Sequence, residues 1–176
     1  SREFIQFGPL TSIAVTNVGE SYDAGAKPNV EITGGGGSGA TAEVIVNGSL
    51  TSFDMTTEGT GYTESPLVSI VGGGGSGATA QAVITGGRVT RILVEQPGQN
   101  YTTQPLVSIT GGGGTGATAT ANVRGPISSV SITNFGSGYT SLPAVKVNSG
   151  EGALAQPIVI NGRIVSIAII NSGESY

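Results

Sequence analysis

Cysteine, histidine and tryptophan are absent from the 176-residue chain, and each absence removes a class of chemistry. Without cysteine there is no disulfide and no thiolate, and without histidine no imidazole base. The usual nitrogen and sulfur ligands of a metal go with them. Charge is scarce too: seven basic and eleven acidic residues leave a net charge of −4 and a charged fraction of 10%. The bases Arg2, Lys27, Arg88, Arg91, Arg124, Lys146 and Arg163 are scattered, so no basic stripe exists for nucleic acid. No run approaches the ~20 apolar residues of a helical membrane span, and Ser1-Arg2-Glu3-Phe4 does not open a signal peptide. The expectation is a chain with no nucleic-acid partner, no membrane insertion, no cofactor and no metal. It either begins mature at Ser1 or is exported without such a peptide.

What is abundant is glycine, at 31 positions, well above the ~7% of an average protein. Each glycine ordered inside an element costs roughly 0.5–1 kcal/mol relative to alanine, so glycine in this quantity must serve geometry. The apolar fraction is only 37%, which predicts a thin or divided core. Valine, isoleucine and alanine nevertheless recur in strict alternation, the signature of order rather than of a linker.

The alternation is organised by a repeat. Tyr22, Tyr62, Tyr101, Tyr139 and Tyr176 are spaced by 40, 39, 38 and 37 residues, a period in the range that marks repeat architectures. Pro28, Pro66, Pro105 and Pro143 follow the tyrosines, and glycine quartets begin at Gly34, Gly72 and Gly111. The fourth copy carries Ser149-Gly150-Glu151-Gly152 instead. A lead-in of residues 1–9 thus precedes a tandem domain of residues 10–176, with repeats at 10–49, 50–88, 89–126 and 127–163 and the start of a fifth at 164–176.

Each unit reads as three strands. The first has apolar residues spaced three and then two apart: Leu10, Ile13, Val15; Leu50, Phe53, Met55; Val89, Ile92, Val94; Ile127, Val130, Ile132; Ile164, Ile167, Ile169. Period 2 cannot produce that spacing, so a bulge is predicted near the start of this strand. The second is short and entered by the proline, which cannot donate to a ladder. The third alternates alanine with polar residues, as in Ala78, Ala80 and Ala82, and leaves room for close packing against another sheet or chain. Asn47-Gly48, Gly86-Gly87, Arg124-Gly125 and Asn161-Gly162 then predict hairpins into the next unit. The fold expected is all-β, four three-stranded repeats of ~38 residues stacked as an elongated prism or solenoid, or else intertwined between chains.

Motifs that suggest chemistry fall short of it. Gly34 to Gly39 satisfies G-x-G-x-x-G, but a dinucleotide site needs a helix next and the alternation continues as strand; no lysine follows, as a P-loop requires. The Gly-Gly-x-Gly start of a calcium-binding nonapeptide lacks its aspartate, with Ser38, Ser76 and Thr115 in that vicinity. Glu58 and Glu64 flank Tyr62, and Glu20 and Asp23 flank Tyr22. A hydrolytic acid–base pair would use such carboxylates, yet the pairing does not recur at Tyr101 or Tyr139. Asn47-Gly48-Ser49 and Asn100-Tyr101-Thr102 have the form of glycosylation sequons. Tyr22, Tyr62, Tyr101 and Tyr139 are either corner residues with buried rings or aromatic platforms for a surface glycan.

The repeated string Val-x-x-Ile-x-Val-Thr-Asn-x-Gly-x-Gly-Tyr-Thr, followed by Pro-x-Val-x-Ile-Thr-Gly-Gly-Gly-Gly-Ser-Gly-Ala-Thr-Ala, resembles glycine-rich β-repeats of virion structural and tail-fibre proteins of tailed phages. Similar repeats occur in large surface proteins. Pro66 to Ala80 and Pro105 to Thr120 carry the likeness best, with Gly136 to Thr140. The resemblance implies a structural role on the outside of a particle or cell and brings no catalytic residues. A non-enzymatic, self-assembling fibre or filament subunit, extracellular or on a virion surface, is the expectation, with a glycan-binding or adhesive module as the alternative. The last strand, with Ile164, Ile167 and Ile169, is expected to offer an open edge for a further copy.

Overall fold

The computed structural model describes residues 21–148 and 151–174, the side chains of 148, 151–154 and 169–174 excepted. The lead-in, the first strand of the first repeat with Glu20, the centre of the degenerate loop at 149–150 and Tyr176 therefore lie outside the described residues, as does the side chain of Ile169. The rest is all-β. In chain order the strands are β1 (Tyr22–Asp23), β2 (Asn29–Thr33), β3 (Ser38–Val46), β4 (Ser49–Thr60), β5 (Leu67–Val71), β6 (Ser76–Thr85), β7 (Arg88–Gln99), β8 (Leu106–Thr110), β9 (Thr115–Gly125), β10 (Ile127–Ser137), β11 (Ala144–Asn148), β12 (Glu151–Ile160) and β13 (Arg163–Glu174). Short strands β2, β5, β8 and β11 each start one residue after a proline, where the missing donor costs no ladder bond.

Three sheets form, with the strand orders β1-β9-β4, β10-β3-β2-β11-β12-β13 and β7-β6-β5-β8. The six-stranded sheet curls until its outer strands β10 and β13 lie against each other, so it is a nearly closed barrel. The two smaller sheets meet in the same manner, β4 against β7 and β8 against β9. All described ladders are antiparallel.

The bulge predicted for the long strands is present in all four described copies. Ladder register shifts between Leu50 and Ser52, Val89 and Arg91, Ile127 and Ser129, and Ile164 and Ser166. The extra residue turns the apolar positions on both sides of it inward. Leu50, Val89, Ile127 and Ile164 are at most 2% exposed, and Ile92 and Ile167 are also buried. The alanine-rich strands supply the counterpart. Ala82 faces Ile92, Ala121 faces Phe53, Ala119 faces Met55 and Ala42 faces Ile132, so a small residue opposes a large one across the narrow interior. Among the described residues three apolar clusters result rather than one core, the divided interior that 37% apolar content foretold.

Two of the four predicted hairpins form. Gly86-Gly87 has φ of 60° and 74°, and Asn161-Gly162 has 49° and 72°, the left-handed pair a tight two-residue hairpin demands. These turns join β6 to β7 and β12 to β13. At Asn47-Gly48 and Arg124-Gly125 the expectation is corrected: the chain does not reverse but crosses, and the strands exchange partners. β3 pairs with β10, and β4 pairs with β9. Pro126 explains one side, because the residue before a proline is held extended. The two backbones then pass in direct contact. The Asn47 N–H donates to the Pro126 carbonyl at 3.0 Å, and a Cβ on Gly125 would collide with the Asn47 carbonyl and Gly48 Cα. Around this crossing lie Val46, Leu50, Val123 and Ile127, each at most 2% exposed and opposed as Val46–Ile127 and Leu50–Val123.

Two stability measurements check this account. Gly125→Ala should lower stability by about 1–3 kcal/mol through overpacking at the crossing, more than Gly86→Ala, whose Cβ meets nothing within 4 Å and carries only the ~1–2 kcal/mol cost of a left-handed alanine. Ile127→Ala should cost about 2–5 kcal/mol, as truncation of a buried aliphatic does. Urea midpoints of the variants against the parent chain report both.

Candidate functional site

The tyrosine turns and the glycine quartets are one structure. Each turn lies on the quartet of another repeat. The Thr63 N–H donates to the Gly112 carbonyl at 2.8 Å, Thr102 to Gly73 at 2.9 Å and Thr140 to Gly35 at 2.9 Å, with the following N–H reaching the same oxygen at 3.3 Å in every case. The tyrosine ring packs against the quartet's last glycine. A Cβ at Gly114, Gly75 or Gly37 would overlap Cγ of Tyr62, Tyr101 or Tyr139 respectively. That overlap accounts for glycine at this position in three quartets. Loss of a Cβ there admits an aromatic face against bare backbone.

The same tyrosines tie the start of a neighbouring long strand by main-chain bonds. The Tyr62 N–H donates to the Gly87 carbonyl at 3.0 Å, Tyr139 to Gly162 at 3.0 Å and Tyr101 to Gly48 at 3.0 Å, with Gly48 donating back to the Tyr101 carbonyl at 2.8 Å. Tyr22 pairs with Gly125. All four strand junctions, crossing or hairpin, thus carry a tyrosine.

Of the residues singled out in the sequence, Tyr22, Tyr62, Tyr101 and Tyr139 are 6%, 4%, 2% and 6% exposed. Their rings present no free face for a sugar. The Tyr62 hydroxyl accepts the Ala117 N–H at 3.3 Å, which gives the phenol a structural partner. Ile164 and Ile167 are buried beside Tyr139 and Val145, while β13 itself is the last strand of its sheet, laddered to β12 on one side and with β10 packed near it on the other. Glu58 forms an ion pair with Arg88 at 3.7 Å, both side chains about half exposed, an arrangement worth at most about 1 kcal/mol. Asp23 accepts the Gly25 N–H at 2.7 Å and closes its own turn. Among the described residues no group of three carboxylates lies close enough to hold a metal ion.

The crossing itself opens a concavity that sequence reasoning did not single out. A cleft of about 310 Å³ is lined by Asn47, Gly48, Ser49, Gln99, Asn100, Arg124, Gly125 and Pro126. Amides, a hydroxyl and one exposed guanidinium supply its polar groups. Its lining includes neither a carboxylate nor a nucleophile beside a base. One signal for this site stood in the sequence, the proline after Gly125. Asn47-Gly48 gave a contrary signal, since that dipeptide favours a hairpin.

No protein family, no curated protein and no solved structure matches the chain.

The tyrosine contacts give a separable expectation. Tyr62→Phe removes only the hydroxyl that accepts the Ala117 N–H and should cost about 0.5–1.5 kcal/mol, whereas Tyr62→Ala empties the space over Gly114 and should cost about 3–5 kcal/mol. Equal losses in chemical denaturation would show that the ring contributes nothing beyond its hydroxyl.

Proposed function

We propose that the chain is a structural, non-enzymatic subunit of an extracellular filament or virion fibre that assembles with copies of itself. The observation that carries this reading is an exposed apolar face on the strand pair β5 and β8. Leu67, Val71 and Leu106 are 66%, 61% and 78% exposed. Val71 stands directly opposite Leu106 in the ladder, while Val68, Ile70, Val107 and Ile109 take the inward positions. The Val71–Leu106 pair, with Leu67 beyond the Ser69–Ser108 pair on the same face, supports an interaction site there.

The corresponding pair β2 and β11 turns Asn29, Glu31 and Lys146 outward instead, with Glu31 opposite Lys146. The two short-strand faces therefore differ in character, and a contact of one with the other is heterologous, growing as a filament where its rotation does not close a ring. In this proposal the four repeats form the axial unit of a prism- or solenoid-like elongated structure, stacked as pairs of strand rings. The resemblance to glycine-rich fibre repeats supports the same role. The glycan-binding alternative loses its main support with the burial of the tyrosine rings.

Negative-stain electron microscopy and solution mass over a concentration series test the proposal. Wild-type chain should grow into regular filaments or defined oligomers, and Leu106→Glu should hold it as a folded monomer. A wild-type chain that stays monomeric at every concentration would overturn the reading.

A further inference from the structure

The described strands obey one rule with one exception. A long strand leads into a tyrosine, and that tyrosine binds the start of the other long strand in its ring. β4 leads to Tyr62, which binds Gly87 before β7. β7 leads to Tyr101, which binds Gly48 before β4. β10 leads to Tyr139, which binds Gly162 before β13. The reciprocal place is Gly125, before β10, and by the rule it belongs to the tyrosine that follows β13 in sequence, Tyr176. Gly125 is instead paired with Tyr22.

Tyr22 is preceded by a segment that repeats β13. From Leu10 to Tyr22, eight of thirteen residues are identical to Ile164 to Tyr176, including Ser-Ile-Ala and Asn-x-Gly-Glu-Ser-Tyr. The apolar positions also agree: Leu10, Ile13 and Val15 against Ile164, Ile167 and Ile169. Five sequences of the long-strand type thus stand against four places in the two strand rings, occupied by β4, β7, β10 and β13. β13 reaches its place beside β12 by a hairpin. In sequence, residues 10–21 precede Tyr22 as β4 precedes Tyr62 and β7 precedes Tyr101.

We propose that the edge of β12 is a strand-acceptor site with two occupants, β13 and residues 10–21 of the same chain, of which one displaces the other. Its ligand is an extended segment with branched aliphatic residues spaced three and then two apart and a Gly-Glu-Ser-Tyr ending. Leu10 and Ile13 would take the buried places of Ile164 and Ile167, an exchange that conserves volume and apolar character. The displaced strand keeps the same pattern and an unpaired edge, the form in which β-strands add to a partner sheet. The site stands or falls independently of whether copies assemble.

The absence of native cysteine makes disulfide trapping in the full chain a direct test. Gln156 faces Ala168 in the ladder between β12 and β13, and Ala14 is the counterpart of Ala168 within Ser-Ile-Ala. Opposed antiparallel residues have Cα separations of about 4.5–5.5 Å, within disulfide range. Three variants are oxidised in dilute solution: Gln156→Cys with Ala168→Cys, Gln156→Cys with Ala14→Cys, and all three together. Peptide mapping of the monomer band should find both pairs closing, and the triple variant should divide between the two links. Closure of 156–168 alone, with 14–156 left reduced in a variant of unchanged circular dichroism, would overturn the proposal. A 14–156 link found only between chains would overturn the same-chain assignment. If neither pair closes while the fold persists, the β12 edge is not a strand seat and the proposal fails.

Discussion

Two stretches of backbone, 47–49 and 124–126, pass each other with no side chain between them, and the rest of the molecule is arranged around that passage. Without it the third strand of each repeat would fold back on the next and give local hairpins in succession. With it, β3 finds β10 and β4 finds β9, strands more than fifty residues apart in the chain. Val46, Leu50, Val123 and Ile127 gather at this point, where four strand ends converge. A crossing of bare backbone is open only to glycine, and each passing segment places one at the contact, Gly48 and Gly125.

Long-range pairing of this kind carries a loop-closure cost that local hairpins avoid. The tyrosine turns offset it by joining distant repeats through many small contacts. Each places a ring on one quartet, two N–H groups on a quartet carbonyl, and its own N–H on a strand junction. The glycines that look like a flexible linker in sequence are therefore among the most constrained positions in the fold. Their left-handed φ values, such as 72° at Gly35 and 71° at Gly73, bring the carbonyl acceptors toward the incoming turn. Alanine strands complete the scheme, since only a small residue fits opposite each large one inside so narrow a ring.

Strand identity was legible because it is a local property. The proline before each short strand, the alanine alternation and the three-then-two spacing each translate into a backbone rule that needs no partner, and the bulges at Thr51, Thr90, Ser128 and Val165 lie where that spacing put them. Partner choice is not local. Asn47-Gly48 and Asn161-Gly162 are the same dipeptide, yet only the second turns, because Asn47 bonds to Pro126 from a remote strand. Proline at 126 was readable as a break in the hairpin pattern at that junction, but nothing in its neighbourhood names residue 47. The site suffered in the same way. That Tyr62 and Tyr101 are corners could be reasoned from periodicity, whereas their seats on Gly114 and Gly75 depend on which repeats pair. The inward direction of Ile164 and Ile167 follows from the closing of the six-stranded sheet, which a terminal strand read alone does not announce.

Those same facts separate the parts of the molecule that hold it together from the parts free to act. Tyrosine, quartet glycine and bulged aliphatic are consumed by internal contacts and leave little chemistry exposed. What varies between equivalent positions is the outward side of the short strands, apolar on β5 and β8 and charged on β2 and β11. A scaffold whose interior repeats and whose outer faces differ is suited to distinguishing neighbours rather than to transforming a substrate. Variation confined to those faces leaves the crossing untouched, because no outward residue of β5 or β8 takes part in it.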